Sequence, residues 1–247
     1  MKVIFIDYDG TLVTDDKTVT PRTLDALKRA EKAGYEIVIC SGRTKDYVAR
    51  IRRDLGVGRY VIFNNGAGIY DCIDWKVVEH TPIAPESIHM LCDLAIKYQN
   101  VYLDLSPLST QICLQCYHLD AMKKLEADLA AVPSISIGNK HKALAEEGFP
   151  EAKLFYFFDI NAKGVSKGYG VERFREIFHV ARENTIGIGD GENDIHMLNA
   201  CGYKVAMGNG LDKIKKIADE VVDSNNNDGV AKYIESLVDK GARGGDN

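Results

Sequence analysis

The sequence lacks a long apolar run and any excess of basic residues. No stretch approaches the roughly 20 apolar residues that span a bilayer, and Asp7 interrupts the N-terminal apolar run before a signal-peptide core could form. The chain has 31 Lys and Arg residues against 36 Asp and Glu residues, a formal net charge of −5, and no long basic run. This balance does not favour a nucleic-acid-binding surface. We therefore expect a small-molecule partner, with no nucleic acid and no membrane.

The sequence also lacks a disulfide framework. Its six cysteines are scattered through apparent strands and helices of a 247-residue chain, which fits a reducing cytoplasm. Cys113 and Cys116, followed by His118, form a Cys-x-x-Cys pair, but no second ligand pair follows at zinc-finger spacing. We interpret these cysteines as apolar strand positions and not as a metal or redox site.

Proline is scarce, and two of the six prolines fall in residues 81–85, a predicted linker. Before it, strands and helices alternate, which predicts a parallel sheet with helices on both faces. After it, a helix and two strands occur twice, which is typical of an α+β module with an antiparallel sheet. The first pattern then returns. We expect an α/β, Rossmann-like core from residues 1–81 and 161–247, with an α+β cap from 82–160 inserted in it.

The first dozen residues carry the strongest functional signal. Residues 3–6 are apolar and rich in β-branched and aromatic types, which predicts a strand buried on both faces. Asp7 and Asp9 follow at the end of this strand, where open α/β sheets bind ligands, and Gly10 lets the chain turn. Adjacent buried carboxylates repel each other unless a cation or a reaction uses them. An ordinary turn is the alternative interpretation.

Residues 7–11, Asp-Tyr-Asp-Gly-Thr, resemble the nucleophile motif of the haloacid dehalogenase superfamily of phosphohydrolases. The resemblance implies that Asp7 attacks phosphorus to form an aspartyl-phosphate. It also implies that Asp9 acts as general acid and then as general base. Tyr8 stands where the family usually has a smaller or aliphatic residue.

Two further turns resemble the superfamily's second and third motifs. In Ser41-Gly42-Arg43, the resemblance implies that the Ser41 hydroxyl binds a phosphoryl oxygen; a helix cap is the alternative. Lys167 fits the motif that supplies a fixed positive charge to the phosphoryl group and to the nucleophile. Taken without its surroundings, Lys167 would be a solvated side chain.

The fourth motif is the turn at residues 189–194, Gly-Asp-Gly-Glu-Asn-Asp. Asp190 and Asp194 lie four residues apart across a turn into a helix, so both carboxylates can converge on one point. The resemblance implies that Asp7, Asp190 and the backbone carbonyl of Asp9 hold Mg²⁺. Asp194 would bind the ion directly or, like Asn193, hold its waters or orient a ligand carboxylate. N-capping by Asp190 is the alternative.

The resemblance covers almost the whole chain and is closest to the Cof-type subfamily with a type-IIB cap. It implies a cytoplasmic, Mg²⁺-dependent phosphatase for a small phosphomonoester, such as a sugar phosphate, acting as a monomer or homodimer. Ser41, Gly42, Arg43, Asn65, Lys167 and Asn193 are the predicted substrate-binding residues. A hexose phosphomutase with the same residues is the alternative, and a regulatory module without turnover is a second one. Specificity is expected to lie in cap loops that carry no motif.

Overall fold

A computed structural model of the chain describes residues 1–98, 101–116, 119–143 and 155–243. Contacts between Cα atoms divide the chain into two units, one of Met1–Glu79 with Ser166–Asn247 and one of His80–Val165. The cap boundaries inferred from the sequence, residues 82 and 160, stay a prediction. His118 and the predicted start of the strand at residues 153–158 lie outside the described residues.

The strands are β1 (Lys2–Ile6), β2 (Tyr35–Cys40), β3 (Tyr60–Phe63), β4 (Gly68–Asp71), β5 (Lys76–His80), β6 (Val101–Leu105), β7 (Ile112–Cys116), β8 (Ile135–Ala143), β9 (Phe155–Ala162), β10 (Thr185–Gly189), β11 (Tyr203–Ala206) and β12 (Glu220–Val221). The helices are α1 (Pro21–Lys32), α2 (Lys45–Leu55), α3 (Pro85–Lys97), α4 (Leu119–Leu129), α5 (Lys167–Ile177), α6 (Asp194–Ala200), α7 (Asp212–Lys215) and α8 (Gly229–Arg243).

The first unit is built on a sheet of order β12-β11-β10-β1-β2-β3-β4-β5. Strands β12 to β3 of this order pair in parallel, and β4 pairs antiparallel with β3. The central strand β1 is fully buried from Val3 to Ile6, as its unbroken apolar sequence predicts. Because parallel strands end at the same edge, the turns after β1, β2 and β10 come together there.

Local sequence signals define the helices around this sheet. Thr20 caps α1 by accepting a hydrogen bond from the Thr23 N–H, and Pro21 is the first helical residue. Gly56 follows the last residue of helix α2 and caps it, and its φ of 68° is the left-handed conformation that suits glycine. In the core, the Phe5 ring meets the Phe174 ring edge-on, with centroids 5.4 Å apart.

The second unit contains a four-stranded sheet of order β6-β7-β9-β8 in which all three pairs are antiparallel. Its core joins apolar residues of the sheet, such as Phe158, to residues of the two helices, such as Leu91 of α3 and Leu125 of α4. The predicted fold class, a parallel core sheet with a separate α+β unit, is confirmed.

Several predicted element boundaries were wrong. Residues 161–162 belong to β9, and the following helix begins only at Lys167, because the turn at residues 163–166 contains Gly164 at a φ of 82°. The sequence pattern predicts a strand over residues 134–137, but β8 runs to Ala143, through an irregular register between Ile137 and Asn139. The polar composition of residues 241–247 predicts a disordered tail, but the final helix continues to Arg243, so residues 241–243 are helical.

Candidate active site

Three carboxylates meet at the edge of the sheet where β1 and β10 end. Asp7 follows β1, and its backbone N–H donates to the Ile188 carbonyl of β10 at 3.0 Å. Asp190 follows β10, and Asp194 begins α6. Each of these three residues offers a carboxylate oxygen, and the three oxygens lie within 4.8 Å of one another. We call Asp7, Asp190 and Asp194 the carboxylate cluster.

Lys167 supplies a buried positive charge to this cluster. Its side chain is 1% exposed, and its Nζ donates to Asp7 Oδ1 at 2.5 Å and to Asp194 Oδ1 at 2.6 Å. Burial opposes the charge on Lys167, but Asp194 and Asp7 outweigh burial and raise the pKa of the ammonium group. Lys167 is therefore charged at neutral pH.

Close packing fixes Lys167 at the start of α5. A Cβ atom on Gly168 would lie 2.4 Å from the His196 carbonyl oxygen of α6, so only glycine allows this approach. Ser166 caps the helix by accepting a hydrogen bond from the Tyr169 N–H at 3.2 Å. The helix start therefore has little freedom to move relative to α6.

One ammonium does not balance three carboxylates. Burial raises the pKa of Asp7 well above its ordinary value, Asp194 raises it further, and Lys167 offsets only part of this effect. Burial likewise raises the pKa of Asp190. A cation bound here would relieve the repulsion. The atoms that these residues offer to a cation are all carboxylate oxygens. Hard divalent cations such as Mg²⁺ take oxygen ligands, so the residues fit such an ion.

Asp194 and Asp190 are held by different partners. Asp194 Oδ2 accepts the backbone N–H groups of Asp190 and Gly191 at 3.0 and 2.9 Å, so both of its oxygens are engaged. Asp190 Oδ1 accepts a hydrogen bond from Thr11 Oγ1 at 2.8 Å. A Cβ atom on Gly10, whose φ is 81°, would lie 2.6 Å from Asp190 Oδ2. The glycine thus leaves room for the Asp190 carboxylate.

The Asp9 side chain lies apart from the carboxylate cluster. Arg43 donates to both of its oxygens, from Nε at 2.9 Å and from Nη2 at 3.0 Å, and Lys17 Nζ adds a bond of 3.0 Å. Burial would raise the pKa of Asp9, but these donors outweigh it and hold the pKa below its ordinary value. Asp9 and Arg43 were predicted to take separate roles, and the structure pairs them.

Ser41, Gly42, Asn65 and Asn193 form a connected group beside the cluster. Ser41 Oγ accepts the Arg43 N–H at 3.2 Å, and Asn65 N–H donates to the Ser41 carbonyl at 3.0 Å. Asn65 Oδ1 accepts from Asn193 Nδ2 at 3.2 Å, and a Cβ atom on Gly42 would lie 2.9 Å from the same Oδ1. Asn65 Nδ2 is buried without a hydrogen-bond partner among the described residues. It is available to a ligand oxygen.

Two residues that sequence reasoning did not select support the nucleophile turn. Asn209 Nδ2 donates to the Gly10 carbonyl at 2.8 Å, and Asn225 Nδ2 donates to the Val13 carbonyl at 3.0 Å. The Asn225 N–H in turn donates to Asn209 Oδ1 at 3.0 Å. Both follow strands of the core sheet, β11 and β12, which is the signal that could have found them.

Comparisons with known proteins identify the family. The family model described as haloacid dehalogenase-like hydrolase matches residues 4–124 and 140–234. The chain is 26% identical to the 5-amino-6-(5-phospho-D-ribitylamino)uracil phosphatase YitU of Bacillus subtilis, over 94% of this chain and 96% of that protein. It is 30% identical to the pyridoxal phosphate phosphatase YbhA of Escherichia coli, over 95% of this chain and 98% of that protein. The subclass IIB sugar phosphatase BT4131 has the same fold, with a TM-score of 0.76, 23% identity and coverage of 96% of this chain and 99% of that chain.

The chain belongs to the haloacid dehalogenase-like hydrolases, in the Cof-type, subclass IIB group, and is a phosphoric monoester hydrolase. The resemblance inferred from its motifs is confirmed. Among the described residues, no helix combines the length and the apolar character needed to cross a membrane.

Proposed function

We propose that the protein is a Mg²⁺-dependent phosphatase that hydrolyses a small phosphomonoester through an aspartyl-phosphate at Asp7. The observation that carries this proposal is the arrangement of Asp7, Asp190 and Asp194 around one buried ammonium group, that of Lys167. Phosphoryl transfer depends mainly on holding charges in place. This site brings three carboxyl groups and one ammonium group together at the end of the central strand.

In this proposal Asp7 and Asp190 hold the metal directly, together with the backbone carbonyl of Asp9. Both oxygens of Asp194 already accept hydrogen bonds, so Asp194 acts by orienting Lys167 and the turn after β10. When bound, the ion neutralises negative charge on the phosphoryl oxygens and the nucleophile.

The reaction has two chemical steps, formation and hydrolysis of the aspartyl-phosphate, and each side chain has its own role in them. Asp7 attacks phosphorus, a bond forms between its carboxylate oxygen and phosphorus, and the bond from phosphorus to the leaving oxygen breaks. Protonated Asp9 gives its proton to that oxygen and becomes a carboxylate. It then takes a proton from water as the water attacks phosphorus, which releases phosphate and restores Asp7. Lys167, the Ser41 hydroxyl and the unpartnered Asn65 Nδ2 would hold the phosphoryl oxygens.

Arg43 has a second task in this scheme. It pairs with both Asp9 oxygens, a contact that favours the charged carboxylate, whereas proton donation needs the acid form. We infer that a bound substrate draws Arg43 away from Asp9 and toward its own oxygens, which Arg43 can contact in a bidentate manner. Gly42 and Asn193 would shape the same subsite through their contacts with Asn65.

Relatives support a small phosphorylated metabolite as the substrate. YitU and YbhA are named for a phosphorylated ribitylaminouracil and for pyridoxal phosphate, and BT4131 is named as a sugar phosphatase. We propose a sugar phosphate or a related metabolite, encountered in the cytoplasm. A monomer or a homodimer stays the predicted assembly.

A panel of phosphorylated metabolites tests the proposal. Phosphate release should require Mg²⁺, stop on addition of a chelator, and disappear in Asp7→Asn, while the exposed Asp16→Asn control should behave as the parent protein. Phosphate release by Asp7→Asn at the parental rate would contradict the proposal. If hexose phosphates were isomerised without release of phosphate, the phosphomutase alternative would replace it.

A further inference from the structure

A cavity apart from the carboxylate cluster lies on the first unit, between α2 and the turn that joins β4 to β5. Its volume is about 490 Å³, and its walls include Asp46, Tyr47, Arg50, Arg53, Tyr70 and Trp75. Cavities of this size commonly take small molecules. None of its lining residues belongs to the carboxylate cluster, and none was predicted as a site residue.

Three aromatic residues, Tyr47, Tyr70 and Trp75, line the cavity. Cationic side chains lie over both tyrosine rings, so Trp75 is the ring with an open face. Trp75 is the only tryptophan of the chain, and it is 71% exposed. Its φ is 53°, a left-handed conformation that costs a non-glycine residue about 1–2 kcal/mol. The turn by itself would favour Gly or Asn at this position. An exposed tryptophan held in this conformation beside two tyrosines indicates a surface for a flat ring.

The same cavity carries an excess of positive charge. Arg50 has no carboxylate partner within the part of the chain that the structure describes, and its Cζ lies 5.2 Å from the centre of the Tyr47 ring. Among the described residues, Arg53 forms an ion pair only with Asp54, at 3.3 Å, and both side chains are more than 60% exposed, so this pair is weak. The one acidic residue of the wall, Asp46, is paired with Lys45. Both arginines are therefore open to an anion.

Tyr47 separates this cavity from the catalytic site. Its ring lies 6.3 Å from the Tyr8 ring, edge-on, and the Arg43 Cζ lies 5.0 Å from its centre. Arg43 holds Asp9. A molecule in the cavity would thus contact the ring on which Arg43 rests, without reaching Asp7 or Lys167.

We propose that this cavity is a second ligand site, for a planar aromatic or heteroaromatic anion whose ring stacks on Trp75 and whose acidic group pairs with Arg50 and Arg53. Aromatic and cationic side chains together select a ligand that is both flat and negatively charged. The proposal does not depend on the chemistry at Asp7.

The single tryptophan makes the test direct, because its fluorescence reports on this cavity alone. Nicotinate and quinoline-2-carboxylate are titrated into the full-length protein. At least one of these two acids should change the Trp75 emission, and the change should saturate as the acid concentration rises. Its neutral carboxamide, which lacks the charge, and cyclohexanecarboxylate, which lacks the aromatic ring, should each bind at least about tenfold more weakly. A linear change without saturation for both acids, or equal affinity for acid and carboxamide, would overturn the proposal.

Variants locate the binding. Arg50→Gln should weaken binding about tenfold, and Arg50→Lys, which keeps the charge, should weaken it less. The control Arg29→Gln removes an exposed arginine that pairs elsewhere, with Asp239, and should change nothing. Equal affinities in Arg50→Gln and Arg29→Gln would contradict the assignment, and far-ultraviolet circular dichroism verifies that the variants fold.

A last pair of measurements separates the two sites. Binding should persist in Asp7→Asn and in the presence of inorganic phosphate with Mg²⁺. Displacement of the aromatic acid by phosphate would place it in the phosphoryl site and would overturn a separate cavity site. Loss of phosphatase activity in Asp7→Asn with retained binding would leave the two proposals independent.

Discussion

Lys167 Nζ contacts Asp7 Oδ1 and Asp194 Oδ1 at once, at 2.5 and 2.6 Å, and joins residues 160 and 27 positions away in the sequence. All three side chains are buried. This pairing links the end of β1 to the starts of α5 and α6, and it places a fixed positive charge against the proposed nucleophile.

Lys167→Met should abolish phosphate release and lower the free energy of unfolding by about 3–5 kcal/mol, because it leaves buried carboxylates without their partner. Lys232→Met is the control, since Lys232 pairs with Asp223 at the surface and such pairs contribute at most about 1 kcal/mol. Denaturant unfolding measures the free energy of unfolding of the two variants, and a phosphate-release assay measures their activity. Equal stability losses in the two variants would show that the buried pairing does not stabilise the fold.

Gly10→Ala should raise the Mg²⁺ concentration needed for half-maximal activity, because its Cβ atom would displace the Asp190 carboxylate. Gly34→Ala is a matched control: its φ of 87° is also left-handed, but no atom lies within 4 Å of the added Cβ. Both variants should lose about 1–2 kcal/mol of stability from backbone strain. Only Gly10→Ala should change the Mg²⁺ requirement. The same requirement in both would argue against Asp190 as a ligand.

Thr11→Val should weaken Mg²⁺ activation by about 10- to 100-fold, as expected when a hydrogen bond that orients a metal ligand is removed. The Thr11 hydroxyl donates to Asp190 Oδ1 at 2.8 Å. Titration of activity with Mg²⁺ measures the effect, with the exposed Thr18→Val as control. An unchanged Mg²⁺ requirement in Thr11→Val would mean that this bond does not orient the carboxylate for the ion.

Asp71 should make the stability of the first unit depend on pH. Burial opposes its charge, but hydrogen bonds from Arg59 and from the backbone N–H groups of Asp74 and Ile73 hold its pKa below the ordinary value. Its stabilising effect is therefore complete above the unfolded-state pKa of about 3.9 and is lost as pH falls through the lower folded-state pKa.

Asp71→Asn should remove this dependence. It should lower the free energy of unfolding by about 1.5–3 kcal/mol at pH 7, and the difference from the parent protein should shrink as pH falls below about 4. Asp239→Asn, which changes an exposed carboxylate, serves as control. Denaturant unfolding across this pH range measures the effect. A difference for Asp71→Asn that stays constant with pH would contradict the assignment.

The short motifs predicted the site because they follow parallel strands, whose ends meet at one edge. That reason was enough to select Asp7, Asp190, Asp194 and Lys167, although their roles stay predictions.

The Arg43–Asp9 pair could not be predicted, since it depends on side-chain directions across two turns. The cavity at Trp75 was also missed, because its residues come from a helix and a hairpin turn that carry no motif. The end of β9 at Ala162 was misjudged because its polar residue Asn161 is buried.

The most direct test of the account is the trapping of the intermediate. The protein is mixed with a phosphomonoester that it turns over in the presence of Mg²⁺, quenched in acid during turnover and digested, and the peptide that contains residues 3–17 is sequenced by mass spectrometry. The account predicts one phosphate on Asp7, absent when a chelator replaces Mg²⁺. Phosphate on Asp9 or on another residue, or full turnover by Asp7→Asn, would contradict it.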